Sequence, residues 1–242
     1  MNGLTVIIPS KNWNNLLPCI KAVHEMDPSA RLMVASDHLD LGDSALDGHY
    51  VQLAGMLDPN MPSLPLWVDG ITVEVVGGVK PFVFARNCNR AIVAAGTDDV
   101  VLLNDDALLK SPGGFTALQC AAEEHPEFGV IGAVTNVTGQ PLQFPKGIGL
   151  REVPHIAFVC VLIPRRTIDK IGLLDERYCL DYGVEDRDYC ESVTRAGLKV
   201  GVHDGCFVDH GSLTSSFRGG PHNQLSFHKN AGLFQQKWGV TP

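Results

Sequence analysis

Apolar residues fall in short runs of strand length, separated by stretches with helical spacing. Residues 4–8 read Leu-Thr-Val-Ile-Ile and stop at Pro9-Ser10, the pattern of a buried first strand. Asn14 or Asn15 is placed to cap a helix reaching Met26, with Pro18 tolerated in its first turn. Residues 31–36 and 71–76 predict two more strands, and residues 82–96 a helix closed by Gly96. An apolar strand over 99–103 then runs directly into Asn104-Asp105-Asp106. Beyond it the pattern predicts a helix over 114–125 and strands over 128–135 and 156–163. Helices over 165–171 and 185–196, short strands over 198–202 and 206–208, and a closing helix over 223–238 complete the chain. Two stretches have no period. Residues 37–70 read as an irregular insertion rich in turn residues, and 139–154 as a Gly- and Pro-rich loop.

Strands alternating with helices predict an α/β fold, a mostly parallel sheet flanked by helices on both faces. Such sheets bind ligands beyond the carboxyl ends of their strands, which directs attention to the residues just after position 103. The 242 residues suit one domain. No GxGxxG comes after the first strand and no GxxxxGK[ST] occurs, so dinucleotide oxidoreductases and P-loop enzymes are poor fits. A GxSxG elbow and zinc-type Cys/His spacings are missing as well.

Composition adds limits. A formal charge of −8 argues against general nucleic-acid binding through phosphates. Lys80, Arg86 and Arg90 are close in sequence and suit either an anionic ligand or a solvated helix face. The seven cysteines are scattered and odd in number, which predicts buried free thiols and a cytoplasmic location. No run is long enough to span a bilayer, and the first residues show no secretory leader.

Three positions carry chemistry. Asn104-Asp105-Asp106 offers carboxylates at a strand end, either as an ordinary polar turn or as hard ligands for Mg2+ or Mn2+. Asp186 shares the i, i+3, i+4, i+7 stripe of Tyr189, Cys190 and Val193, whereas Glu185 and Asp188 share it less fully. An inward Asp at a helix start is a cap or a placed base, and desolvation would raise its pKa toward base duty. His210 comes after a short strand and offers a nitrogen ligand, although on its own it ranks no higher than His203 or His228.

Several segments together resemble, in order, the family 2 glycosyltransferases of GT-A fold, in particular their rhamnosyltransferase-like branch. They are Thr5-Val6-Ile7-Ile8-Pro9-Ser10-Lys11-Asn12, Ala85-Arg86-Asn87, Val101-Leu102-Leu103-Asn104-Asp105-Asp106 and Ile171-Gly172-Leu173-Leu174-Asp175-Glu176-Arg177-Tyr178. Glu185-Asp186-Arg187-Asp188-Tyr189-Cys190, Ala196-Gly197, His210-Gly211-Ser212 and Lys237-Trp238-Gly239 complete the set. The resemblance implies an inverting transfer of sugar from a nucleoside-diphosphate donor (UDP, GDP or dTDP) with a divalent metal. It implies Asp106 and His210 on the metal and Asp186 as the base that deprotonates the acceptor hydroxyl, with Glu185 as a second catalytic residue. Pro9, Asn12 and Asp37 would surround the nucleoside, and Arg86 its base or phosphates, with Asn87, Asp105 and Asp175 also expected to bind substrate. It also implies a nucleotide-sugar-binding half over 1–110 and an acceptor and catalytic-base half over 111–242. A glycan, lipid carrier, protein or modified nucleic acid would all suit as acceptor. The rival reading is a catalytically silent nucleotide-sugar-binding domain.

Overall fold

The computed structural model describes residues 2–10, 12–36, 63–78, 81–178, 183–215 and 221–242. Strands β1 (Leu4–Ser10), β2 (Arg31–Ser36), β3 (Leu64–Val68), β4 (Ile71–Gly77) and β5 (Asp99–Leu103) form one half of a single sheet. Strands β6 (Leu108–Leu109), β7 (Phe128–Thr135), β8 (Leu150–Glu152), β9 (Cys160–Ile163) and β10 (Lys199–Asp209) form the other. Their order is β3-β4-β2-β1-β5-β9-β7-β10-β6, with β8 added on β10. The pairs β4–β2, β2–β1, β1–β5 and β7–β10 are parallel, while β9 lies antiparallel between β5 and β7.

Among the described residues six helices connect and cover this sheet: α1 (Trp13–Met26), α2 (Phe84–Ala94), α3 (Gly114–Glu124), α4 (Arg165–Ile171), α5 (Glu185–Arg195) and α6 (Pro221–Trp238). Alternation along each strand decides which helix meets which face. Val6, Ile8, Val101 and Leu103 pack with Leu16, Ile20 and Val23 of α1 and Phe115 and Leu118 of α3. Ile7, Val100 and Leu102 point the other way, against Cys88 and Ile92 of α2, Ile168 of α4 and Tyr189 and Val193 of α5. Because both faces are covered, the strands read as continuous apolar runs rather than alternating ones.

Several local expectations are corrected. The cap of α1 is Asn12, whose side chain accepts from the Asn14 N–H at 3.1 Å, so the helix starts earlier and Pro18 falls beyond its first turn. Part of the supposed insertion is ordered, since β3 pairs antiparallel with β4 through residues 64–68; residues 37–62 lie outside the described residues. Within the 139–154 loop, β8 pairs with β10. The strand expected over 156–163 is only β9, because the Gln143 amide holds Ala157 through both its N–H (2.7 Å) and its carbonyl (3.0 Å) in a turn. The two short strands near the C-terminus are one, β10, interrupted by a register shift against β7 between His203 and Phe207. Asp204 sits in that bulge, where Arg151 and the N–H groups of Lys146 and Ile148 bond its carboxylate.

Candidate active site

Sheet topology brings the ends of β5 and β10 and the start of α5 to one cleft of about 490 Å3. Asp105 and Asp106 come just after β5, His210 just after β10, and Glu185 and Asp186 open α5; all five line the cleft, as do Pro9 and Asn104. Residues separated by more than 100 positions therefore converge as the sheet rule anticipates.

Asp106 and His210 are nearly buried, at 4% and 7% exposure, and His210 Nε2 lies 3.0 Å from Asp106 Oδ1. The imidazole is fixed from behind. Its Nδ1 is 2.8 Å from the Val137 carbonyl oxygen, and a carbonyl only accepts, so Nδ1 carries the proton. The His210 N–H donates to Asn136 Oδ1, and Asp209 accepts from Asn136, Gly211 and Ser212, which locks the turn around it. This tautomer presents the Nε2 lone pair to a carboxylate oxygen. Two acceptors at that distance call for a proton or a cation between them. Two neighbouring ligands, each about 2.1 Å from a Mg2+-sized ion, would themselves be about 3 Å apart, so the pair fits a divalent ion. Among the described residues no group of three or more His, Cys, Asp or Glu forms a metal site. Two protein ligands with phosphates and waters supplying the rest is the usual arrangement for Mg2+ at nucleotide phosphates.

Asp105 supports this corner. Ser10 Oγ donates to it at 2.6 Å, and burial together with the nearby Asp106 charge pushes its carboxyl up to about 6 despite that bond.

Across the cleft, α5 begins under strain. Val184 precedes it at φ +86°, a region that β-branched residues rarely occupy, at a typical cost of roughly 1–3 kcal/mol. Val184 is held by packing with Tyr178 and Phe234 of α6, while Gly183 (φ +92°) faces Phe227 where a Cβ would sit at 3.0 Å. The turn aims Glu185 and Asp186 into the cleft. Burial raises the pKa of both carboxyls; for Glu185 the neighbouring Asp186 charge adds to it, to about 8, whereas Asp186 is partly compensated by backbone N–H donors, including Arg187 at 2.7 Å. One Glu185 oxygen is buried with no partner. An acid whose native pKa exceeds its unfolded value keeps a proton that the unfolded chain has lost, so its folded state weakens as pH rises between those values. We therefore expect the melting temperature to fall as the pH rises from 4.5, the ordinary pKa of a glutamate, to about 8, and Glu185→Gln to flatten that fall in thermal melts across the window.

Asp188 corrects the helical-stripe reading. It is the most buried of the three acids of this turn, at 2% exposure. Its Oδ1 accepts from Tyr178 Oη (2.9 Å) and Trp238 Nε1 (2.7 Å), and its Oδ2 from Lys237 Nζ (2.8 Å). Lys237 also reaches Asp175 at 2.8 Å. Asp175, expected to bind substrate, is thus engaged by Lys237 and Arg177, which hold its carboxyl well below the usual range, and it is not on the cleft wall. Asn12 caps α1, Asn87 is fully buried in α2, and Arg86 faces Glu176 at 3.8 Å; none of these lines the cleft. Asp37 and Lys80 lie outside the described residues. Sequence reasoning missed His155 and Arg187, both on the cleft wall. Arg187 directly succeeds the acidic pair, which was a usable signal; nothing distinguished His155 among nine histidines.

No described helix is long and apolar enough to cross a membrane. The sequence matches no model of a known protein family and no curated protein. By shape it is similar to 246 solved chains. One is a crystal structure of GalNAc-T7 with UDP, GalNAc and Mn2+, at a TM-score of 0.67 and 13% identity. The match covers 96% of this chain and 48% of that one, so the chain spans about half the neighbour's length. At that identity the likeness speaks to architecture alone: this chain has the GT-A, Rossmann-like fold.

Proposed function

We propose that this chain transfers a sugar, with inversion, from a nucleoside-diphosphate donor to an acceptor hydroxyl. The observation that carries the reading is the placement of Asp106 with His210 and of Glu185 with Asp186 on one cleft of a GT-A fold. Residues 1–110 supply the donor half and 111–242 the acceptor and base half. Kinship with family 2 glycosyltransferases and their rhamnosyltransferase-like branch is part of the proposal and rests on the ordered motifs.

Asp106 and His210 hold Mn2+ or Mg2+, which when bound offsets the negative charge of the departing diphosphate. Pro9 and Asn104 border the donor, and Asp105, bonded to Ser10, fixes the turn that presents Asp106. Asp186 accepts the proton of the acceptor hydroxyl, its affinity for that proton increased by burial and its orientation set by the Arg187 N–H. Glu185, neutral at physiological pH, adds no second charge beside it. UDP, GDP and dTDP all suit the donor, and the acceptor is a glycan, lipid carrier, protein or modified nucleic acid. The six described cysteines are free thiols, in keeping with action in the cytoplasm.

The test is donor turnover monitored by NMR. Nucleotide sugars of the three bases are incubated with the protein and Mn2+, and the anomeric configuration of the first-formed sugar product is read. An inverted anomer supports the assignment; a retained one removes Asp186 as base. Nucleotide binding without turnover for any donor or acceptor class would favour a silent binding domain.

A further inference from the structure

Two basic side chains on the cleft wall have no part in the chemistry above. His155 lies in the turn before β9 and Arg187 in the first turn of α5. His155 Nδ1 and Arg187 Nε are each buried without a hydrogen-bond partner, and among the described residues no carboxylate lies within ion-pair distance of the Arg187 guanidinium. Both line the same cleft, and after burial the Arg187 charge is the second cause that lowers the His155 pKa. Buried donors are nearly always satisfied, and a guanidinium is always charged. The Arg187 charge lowers the pKa of the neighbouring Asp186, yet among the described residues the two form no ion pair. Two buried basic nitrogens without hydrogen-bond partners on the wall of one cleft suit the negative charge of a ligand.

We infer that Arg187 and His155 form an anion subsite for an acidic group, carboxylate or phosphate, that the acceptor carries close to the hydroxyl being glycosylated. This rests on reading Asp186 as the base for that hydroxyl. Arg187 is the next residue after Asp186 on α5, whereas the diphosphate is assigned to the other end of the cleft, where Asp106 and His210 close β5 and β10. Burial raises the Glu185 pKa to about 8, which favours its neutral form, and the Asp186 charge is offset in part by Arg187 itself.

The test is NMR titration of the full chain in EDTA, so that no metal-held anion contributes. The probes are inorganic phosphate and methyl glucuronide, with methyl glucoside as the uncharged control. Saturable shifts of the His155 ring with one or both anions and none with the glucoside are expected, and the tighter anion identifies the acidic group. Arg187→Gln weakens that binding by about tenfold or more, and Arg187→Lys by less. Circular dichroism confirms that each variant is folded, and His155→Gln gives an independent second variant. Nucleoside-diphosphate binding with Mn2+, measured separately, stays unchanged in Arg187→Gln. A tenfold loss there would assign Arg187 to the donor and overturn the inference, as would the absence of saturable anion binding to the wild type. Anion binding in a protein that binds no nucleotide would instead sink the transfer reading and leave the subsite standing.

Discussion

Asp186→Asn lowers the transfer rate by about 10^3-fold, the usual contribution of a positioned general base, while leaving nucleotide binding and melting temperature near wild type. The isosteric amide keeps an oxygen that can accept from the Arg187 N–H, so the start of α5 retains its shape. What disappears is the capacity to take a proton. Glu185→Gln serves as the internal control: with its pKa raised to about 8 the neutral form is favoured at neutral pH, so the rate loss there is expected to be much smaller. Steady-state rates of both variants with one donor decide the matter. Equal losses would mean that the two carboxyls act as one unit, and a larger loss for Glu185 would exchange their roles.

Asp188→Ala destabilises the fold by about 3 kcal/mol, at the low end for removing one partner of a buried ion pair. In a chain of this size that lowers the melting temperature by about 10 °C. The carboxylate takes three hydrogen bonds, from Tyr178, Lys237 and Trp238, and its removal strands donors on both the 175–178 turn and α6. Lys237 keeps Asp175, which is why the loss stays at the lower limit. The consequences reach the site, because α6 also supplies Phe234, the residue packed on strained Val184 just before Glu185. Differential scanning calorimetry gives the stability change; Asp188→Asn, which keeps two acceptor bonds, loses less. A melting temperature unchanged in Asp188→Ala would show that the clamp does not secure α6.

The sheet and its helices were largely legible because strand burial on both faces leaves apolar runs, and the helices keep a 3.6-residue stripe. The turn after β5 was legible for the same reason, since an apolar run ending in Asn-Asp-Asp has one place to go in such a sheet. The bulge in β10 was not legible. It depends on Asp204 bonding a loop 56 to 58 residues away, which no local pattern encodes. Asp188 was misjudged for a related reason: helical spacing predicts which apolar side chains turn inward, but this acid is drawn inward by Lys237 and Trp238 some 50 positions later. The ordered motifs held what spacing could not. Asp175, Tyr178, Asp188, Lys237 and Trp238, scattered among three of the resembling segments, meet in one clamp. His210 was the least supported member of the site on sequence grounds, yet it stands 3.0 Å from Asp106 with its tautomer fixed by Val137.

We propose that this cleft binds a nucleoside diphosphate through a metal held by Asp106 and His210. Calorimetric titration of UDP, GDP and dTDP into the protein, with Mn2+ and then with EDTA, tests it most directly. At least one of the three is expected to bind, with Mn2+ required, and Asp106→Ala to weaken binding by about tenfold or more. Equal affinity in EDTA, an unaffected Asp106→Ala variant, or no binding by any of the three would contradict it.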